Sequence, residues 1–134
     1  MSQPLRILQI LRAPVGGLFR HVSDLTQALA ARGHQIGIVV DSLHTDSLTE
    51  ERLGTLAPVA PLGIHSMRIP RLFGPSDIAT PLQIRALADR LGIEVLHGHG
   101  AKGGFLARLA RIGAKRVALY TPHGGVLNYP PGSA

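Results

Sequence analysis

The sequence predicts an open α/β fold, in which one parallel sheet carries helices on both faces in three layers. Two observations carry this prediction: short, largely apolar runs alternate along the chain with segments of helical periodicity, and 134 residues suffice for one domain only. Strands that are apolar throughout are typical of parallel sheets buried on both faces, and such strands need right-handed crossovers through the intervening helices. We therefore expect a Rossmann-like sheet of about five strands.

Five strands are predicted from runs of four to seven residues. The third of them is the least apolar, because only Ile64, Met67 and Ile69 contribute apolar side chains to it. The predicted strands cover residues 5–11, 35–40, 64–69, 94–97 and 116–120.

The first helix is predicted to follow a tight turn at Gly16 and Gly17. Its apolar residues recur at intervals of four, three and four, which places them on one helix face. These residues are Leu18, Val22, Leu25 and Leu29. Gly33 then stands where a left-handed C-terminal cap is expected.

Three further helices are predicted from their end signals. A capping box opens the second, over residues 47–56. Thr80 as N-cap with Pro81 in the first turn opens the third, which ends before Gly92. The fourth is predicted over residues 103–111, after a glycine-rich loop.

Composition excludes several classes of function. Cysteine is absent, which removes disulfides, cysteine zinc sites and thiol nucleophiles, and fits a reducing cytoplasm. No apolar run approaches the roughly 20 residues needed to span a bilayer. The net charge of +6 suits an anionic membrane face or a phosphate-bearing small molecule. Single-stranded nucleic acid is not expected as a partner, because no aromatic side chains accompany the basic cluster at Arg108, Arg111, Lys115 and Arg116.

Ligands of open α/β sheets bind beyond the carboxyl ends of the strands, and the first such end leads into Gly16 and Gly17. Glycines at a helix start let an anion approach free backbone N–H groups. The dinucleotide motif G-x-G-x-x-G and the P-loop are both absent. Two interpretations therefore stay open, a phosphate cradle and a simple strand-to-helix turn.

Histidines mark two other strand ends. His97 and His99 stand two residues apart, so that in a strand they would point the same way and could share a metal, but the segment offers no further ligand. We favour a polar cleft lined by His99 and Lys102, with His97 hydrogen-bonded within the loop. His21, on the first turns of the first helix, could face the same cleft.

The fifth strand leads into His123, which lies between Pro122 and two glycines. A lone histidine is more often structural than functional, but its position after the carboxyl end of a strand, between turn residues, raises the odds of a functional role. Asp41 ends the second strand, where nucleotide-binding folds hold a ribose, although the glycine motif that usually accompanies it is missing.

Four motifs in order resemble the N-terminal domain of family 4 glycosyltransferases, which are retaining enzymes of the GT-B fold. The motifs are P-V-G-G at 14–17, R-G-H at 32–34, V-L-H-G-H at 95–99 and T-P-H-G at 121–124. The resemblance covers nearly the whole chain. It implies a Rossmann-like acceptor-side domain, residues 1–134, that faces a donor-binding C-terminal domain across a cleft.

The resemblance also implies roles for individual residues. Gly16 and Gly17 would approach the diphosphate of a nucleotide-sugar donor, and His123 would be the catalytic residue near the transferred sugar. His99, Lys102 and His21 would line the acceptor side. The family's transfer implies no metal and no other cofactor. The E-x7-E signature of the donor domain is absent, and the chain stops at residues 130–134 soon after the fifth strand, so we expect a fragment that is inactive alone.

Two other classes of function stay open. One is a non-catalytic anion-binding α/β module, and the other is a membrane-surface module that uses the basic excess. We expect a cytoplasmic protein, at the membrane face if the second holds. The last strand has no following helix to cover it, so we also expect self-association through exposed sheet surface.

Overall fold

Five parallel strands form one sheet in the computed structural model, which describes residues 3–13, 16–42, 47–70, 74–112 and 115–122. The spatial order of the strands is β3-β2-β1-β4-β5, and every neighbouring pair is parallel. This confirms the predicted open parallel sheet. The strands are β1 (Arg6–Leu11), β2 (Gln35–Asp41), β3 (Ile64–Met67), β4 (Val95–His99) and β5 (Val117–Thr121).

The helices lie on both faces of the sheet, as predicted for a three-layer fold. A short 3₁₀ helix, Ala57–Val59, follows the second α-helix. The second helix has the predicted bounds, whereas the third and fourth start earlier than predicted. The α-helices are α1 (Gly16–Ala31), α2 (Ser47–Leu56), α3 (Ser76–Leu91) and α4 (Gly100–Arg111).

Strand β1 packs on both layers because its side chains alternate between the faces. Leu11 joins Val22 of α1 in one apolar cluster. Leu8 and Ile10 join a second cluster that includes Leu106 of α4. All three β1 side chains are buried, as the apolar sequence of the strand requires. The order of the strands and the two helical layers therefore place β1 at the centre of the molecule.

The prediction that Thr80 is the N-cap of α3 is wrong. The helix begins at Ser76, and Pro81 lies inside it. The Thr80 hydroxyl instead donates a 2.6 Å hydrogen bond to the carbonyl of Arg68, which ties the helix to the segment after β3. Pro81 is tolerated near the helix start because it removes only one hydrogen bond, the one to the carbonyl of Asp77.

The prediction of a glycine-rich loop before α4 is also wrong, because β4 runs to His99 and α4 begins at Gly100. The glycines allow close packing instead. A Cβ on Gly98 would overlap the carbonyl oxygen of Gly103, and one on Gly103 would lie 2.6 Å from the carbonyl oxygen of Ile10. One on Gly104 would overlap a β5 side chain. The α4 backbone therefore lies directly against the sheet.

A crevice is expected between the carboxyl ends of β1 and β4, because the connections that leave these two strands run to opposite faces of the sheet. Leu11 at the end of β1 is in register with His99 at the end of β4. The first turns of α1 and α4 lie close together there, since a Cβ on Gly100 would lie 3.4 Å from Cδ1 of Leu18. The fold thus brings both glycine-containing helix starts to one point.

Candidate functional site

Gly16 and Gly17 are the first residues of α1. They therefore belong to the helix, and the predicted turn ahead of it is wrong by two residues. Gly17 is exposed, and a Cβ placed on it would meet no atom within 4 Å. The first N–H groups of a helix have no partner within the helix and carry partial positive charge. This end of α1 therefore offers open space beside backbone donors.

His97 and His99 lie on one face of β4, as their spacing predicted. Their rings stack with centroids 4.1 Å apart and planes 27° from parallel. The prediction of a hydrogen bond within the loop is wrong for His97, because its Nε2 lies 2.7 Å from the hydroxyl oxygen of Thr121 on β5. Both histidines are strand residues, and each is held by a neighbouring strand.

His21 of α1 lies against His99 of β4, with ring centroids 5.7 Å apart in an edge-to-face arrangement. His21 is exposed, whereas His99 is almost completely buried, with 1% of its surface accessible. The structure therefore brings together two of the side chains predicted for the acceptor side. Their contact joins α1 to β4 beside the crevice.

Lys102 lies in the first turn of α4 and forms a buried ion pair with Asp77 in the first turn of α3. Its Nζ is 2.5 Å from Asp77 Oδ1. The other carboxylate oxygen accepts a 2.6 Å hydrogen bond from the backbone N–H of Gly74. The hydrogen-bonded Lys102 holds the pKa of Asp77 below its usual range, although burial acts in the opposite direction. Lys102 thus bridges two helix starts.

Gln9 and Thr26 form a buried hydrogen-bonded pair that supports His99. Neither residue was predicted to belong to the site. The side-chain oxygen of Gln9 on β1 lies 2.5 Å from Nε2 of His99, and the Gln9 amide donates a 2.9 Å hydrogen bond to the hydroxyl of Thr26 on α1. Gln9 and Thr26 are both fully buried. A glutamine inside an otherwise apolar strand was the available signal, because a buried amide must find partners.

Two other predicted positions have different outcomes. Asp41 is buried at the end of β2, and its Oδ1 accepts a 2.9 Å hydrogen bond from the backbone N–H of Ile69, so it braces the segment after β3. His123 lies outside the described residues.

The basic cluster is partly engaged in hydrogen bonds within the protein. Arg111 donates to the carbonyl of Arg116, and Arg116 donates to the carbonyl of Ile93 and pairs with Asp89 at 2.5 Å. Arg108 and Lys115 of the cluster are exposed. In the ranges that the structure describes, no helix is both long and apolar enough to cross a membrane.

The arrangement favours contacts to a polar, hydroxyl-bearing or anionic ligand. Imidazole nitrogens exchange hydrogen bonds with hydroxyls, and the start of α1 suits an anion. Among the described residues, no three histidine, aspartate or glutamate side chains are grouped as metal ligands would be.

Comparisons with known proteins show a family and a fold. The sequence profile described as Glycosyltransferase Family 4 matches residues 15–133. A glycosyltransferase from Rickettsia africae has a similar structure, with a TM-score of 0.74 and 18% identity over 97% of this chain. The match covers 32% of the Rickettsia protein, so this chain spans about a third of that length.

A second solved structure shares the fold alone. It is the C-terminal domain of a hydrogenase from Pyrococcus furiosus, with a TM-score of 0.57 and 11% identity. That match covers 90% of this chain and 93% of the other. No curated protein sequence gives a significant match.

Proposed function

Because the chain belongs to glycosyltransferase family 4, we propose that it forms the acceptor-side domain of a retaining glycosyltransferase of the GT-B fold. The enzyme would move a hexose from a nucleotide sugar to a glycan, lipid or small-molecule acceptor. The observation that carries this proposal is the contact of His21 with His99 beside the glycine start of α1. This contact supports the proposal because it brings polar side chains beside a helix start, and such a start suits an anion.

The donor diphosphate is proposed to bind at Gly16 and Gly17. Their position at the start of α1 supports this, because a diphosphate needs close approach to backbone N–H groups and Gly17 leaves that space open. The exposed side chain of His21 would contact hydroxyls of the acceptor, and the buried His99 would line the acceptor side behind it. Lys102 would bound the acceptor side through its ion pair with Asp77.

His123 is proposed as the catalytic residue. Transfer of a glycosyl group builds positive charge on the sugar ring while negative charge develops on the departing diphosphate. In the sequence His123 follows the end of β5 by two residues. We propose that its neutral imidazole holds a sugar hydroxyl as this charge develops. We propose that neither a metal nor another cofactor takes part.

A second domain is proposed to bind the donor's nucleotide, and the enzyme is proposed to work in the cytoplasm, including at the inner membrane face. Catalysis in a cleft between two domains depends on the positions of both substrates. We therefore expect residues 1–134 alone to bind a nucleoside diphosphate weakly and to transfer no sugar. Sustained turnover of a nucleotide sugar by the purified 134-residue chain would contradict this.

Titration with uridine and guanosine diphosphate tests the binding site directly. Amide resonances of the 134-residue protein are followed by NMR, and we expect shifts at Gly17, Leu18 and His21 that saturate at roughly millimolar ligand. The weak affinity follows from helix-start contributions of about 0.3–1 kcal/mol each. Gly54, an exposed glycine in α2, serves as the internal control and should not shift. Shifts confined to other parts of the chain would overturn the proposed donor site.

A further inference from the structure

Gln9 is a polar residue at the centre of an apolar sheet. It lies in β1 between Leu8 and Ile10, both buried, and none of its own surface is accessible. Burial of an amide is unfavourable unless its donors and its acceptor are paired. Gln9 meets this need through two side chains, Thr26 of α1 and His99 of β4. These two hydrogen bonds explain why a glutamine is accommodated in this apolar strand.

The bond to Thr26 fixes which way the Gln9 amide points. The Gln9 NH₂ group donates a 2.9 Å hydrogen bond to the hydroxyl oxygen of Thr26. The Gln9 carbonyl oxygen must then face His99, 2.5 Å from its Nε2. An oxygen at that distance can only accept, so Nε2 of His99 carries a hydrogen.

His97 restrains the same ring from a second side. It stacks on His99 with centroids 4.1 Å apart, and Thr121 holds His97 through its Nε2. His21 of α1 packs edge-on against His99 at 5.7 Å. His97 and His21 therefore fix the orientation of the His99 ring, and Gln9 determines which ring nitrogen carries the hydrogen.

We propose that Gln9, anchored by Thr26, is a positioning residue that holds His99 as the Nε2–H tautomer. In this tautomer Nδ1 carries the lone pair, and the ring presents an acceptor at that nitrogen. The effect of this arrangement on sugar transfer rests on the proposed function, in which His99 lines the acceptor side behind His21. The tautomer itself does not depend on any activity. Gln9 would thus act on the acceptor subsite without touching the acceptor.

The test measures imidazole ¹⁵N chemical shifts by NMR at neutral pH in the ligand-free protein, because these shifts distinguish a protonated from a bare ring nitrogen. Three variants are compared with the unaltered protein: Gln9→Met removes both hydrogen bonds at nearly constant volume, Gln9→Glu keeps an oxygen toward His99, and Thr26→Val removes only the anchor. Thr80→Val is the matched control, since Thr80 is also buried and hydrogen-bonded but contacts the carbonyl of Arg68.

We expect His99 to be Nε2-protonated in the unaltered protein, in Gln9→Glu and in Thr80→Val. Gln9→Met should produce a mixture of tautomers, and Thr26→Val a smaller change in the same direction. A bare Nε2 in the unaltered protein would overturn the inference, and so would an unchanged tautomer in Gln9→Met. If Gln9→Met fails to fold, the unaltered protein and Thr26→Val still decide the matter.

A transfer assay on the enzyme with its donor domain separates this inference from the proposed function. Loss of the hydrogen bond between Gln9 and His99 should lower kcat/KM for the acceptor by up to about tenfold in Gln9→Met. The loss in kcat/KM for the donor should be smaller. Equal losses for donor and acceptor would contradict the positioning role. Absence of transfer by every form, together with the expected tautomers, would contradict the proposed function and leave the positioning of His99 confirmed.

Discussion

Gly17 is exposed in the first turn of α1, and a Cβ placed there would meet no atom within 4 Å. A valine at this position therefore costs the fold little, yet it fills the space that a diphosphate would occupy. We predict that Gly17→Val keeps the melting temperature and weakens nucleoside diphosphate binding by roughly two- to thirtyfold, the loss of one or two helix-start contacts. Isothermal titration together with thermal unfolding measures both effects.

Gly54→Val is the matched control for this substitution. Gly54 also lies exposed in a helix with no atom near its absent Cβ, but it is on α2. Equal diphosphate affinity in Gly17→Val and Gly54→Val would mean that the start of α1 is a turn without a ligand.

The ion pair between Asp77 and Lys102 makes stability depend on pH in a definite direction. The pKa of Asp77 is lowered in the folded protein, so the ionised carboxylate stabilises the fold above its ordinary pKa of about 4. This contribution is lost as the pH falls through the lower, folded-state pKa. We predict that Asp77→Asn lowers the free energy of unfolding at neutral pH by roughly 1.5–3 kcal/mol, because it removes the carboxylate that pairs with the buried ammonium group of Lys102.

Urea unfolding at pH 7 and below pH 4 checks this prediction. Asp77→Asn should lose less stability on acidification than the unaltered protein. The double variant with Lys102→Met should recover most of the loss at pH 7, because it removes the buried ammonium group that the carboxylate had stabilised. If the double variant is as unstable as Asp77→Asn, the loss of charge pairing at Lys102 is not the cause.

Single residues also show how far the sequence could anticipate the site. The glycine pair and the two histidines of the V-L-H-G-H segment stand at strand ends, so their placement at the sheet edge follows from the fold class. Gln9 and Thr26 could not be found in this way. Gln9 and His99 are 90 residues apart, and their contact depends on the pairing of β1 with β4, which local patterns do not encode.

At the scale of elements, α4 depends on glycine for its distance from the sheet. A Cβ on Gly98 would overlap the backbone of Gly103, where no side chain can move aside. We predict that Gly98→Ala lowers the free energy of unfolding by at least roughly 1–3 kcal/mol, the cost of overpacking a core. Gly54→Ala, in an exposed helix, should instead raise it by up to about 1 kcal/mol. Urea unfolding measures both, and equal effects would contradict this packing.

Helix boundaries show where tertiary contacts override local signals. Helix α2 begins at Ser47, as predicted. The N-cap of α3 is Pro75, five residues before the predicted Thr80, because the Thr80 hydroxyl bonds the carbonyl of Arg68 and Asp77 ties the earlier turn to Gly74 and Lys102. The Thr-Pro pair has the sequence of a cap, but its partners come from other elements. Local propensity therefore fixed the existence of this helix and not its first residue.

At the scale of the whole molecule, the alternation of strands and helices was enough to predict a parallel three-layer fold. The order β3-β2-β1-β4-β5 was not predicted from residue patterns, since any order with right-handed crossovers satisfies them. That order decides which strand ends meet. It places β4 beside β1 and so assembles the histidines, Gln9 and the start of α1.

The same order leaves β5 at an edge of the sheet among the described residues. Leu119 is in register with His97 and so lies on the face opposite α4, where 48% of its surface is exposed, and Val117 two residues earlier is 54% exposed. Exposed apolar side chains along an edge strand favour pairing with a second copy.

We predict concentration-dependent self-association through this face of β5, and we predict that Leu119→Lys raises the dimer dissociation constant by about tenfold or more. Each copy would lose roughly 1–2 kcal/mol of apolar burial, and a lysine on an edge strand opposes pairing. Sedimentation velocity over a range of concentrations measures the change. Leu48→Lys is the matched control, because Leu48 is 52% exposed but lies on α2. The two substitutions add the same charge and differ only in where they place it. If both variants weaken association equally, or if Leu119→Lys leaves association unchanged, self-association does not use this face of β5.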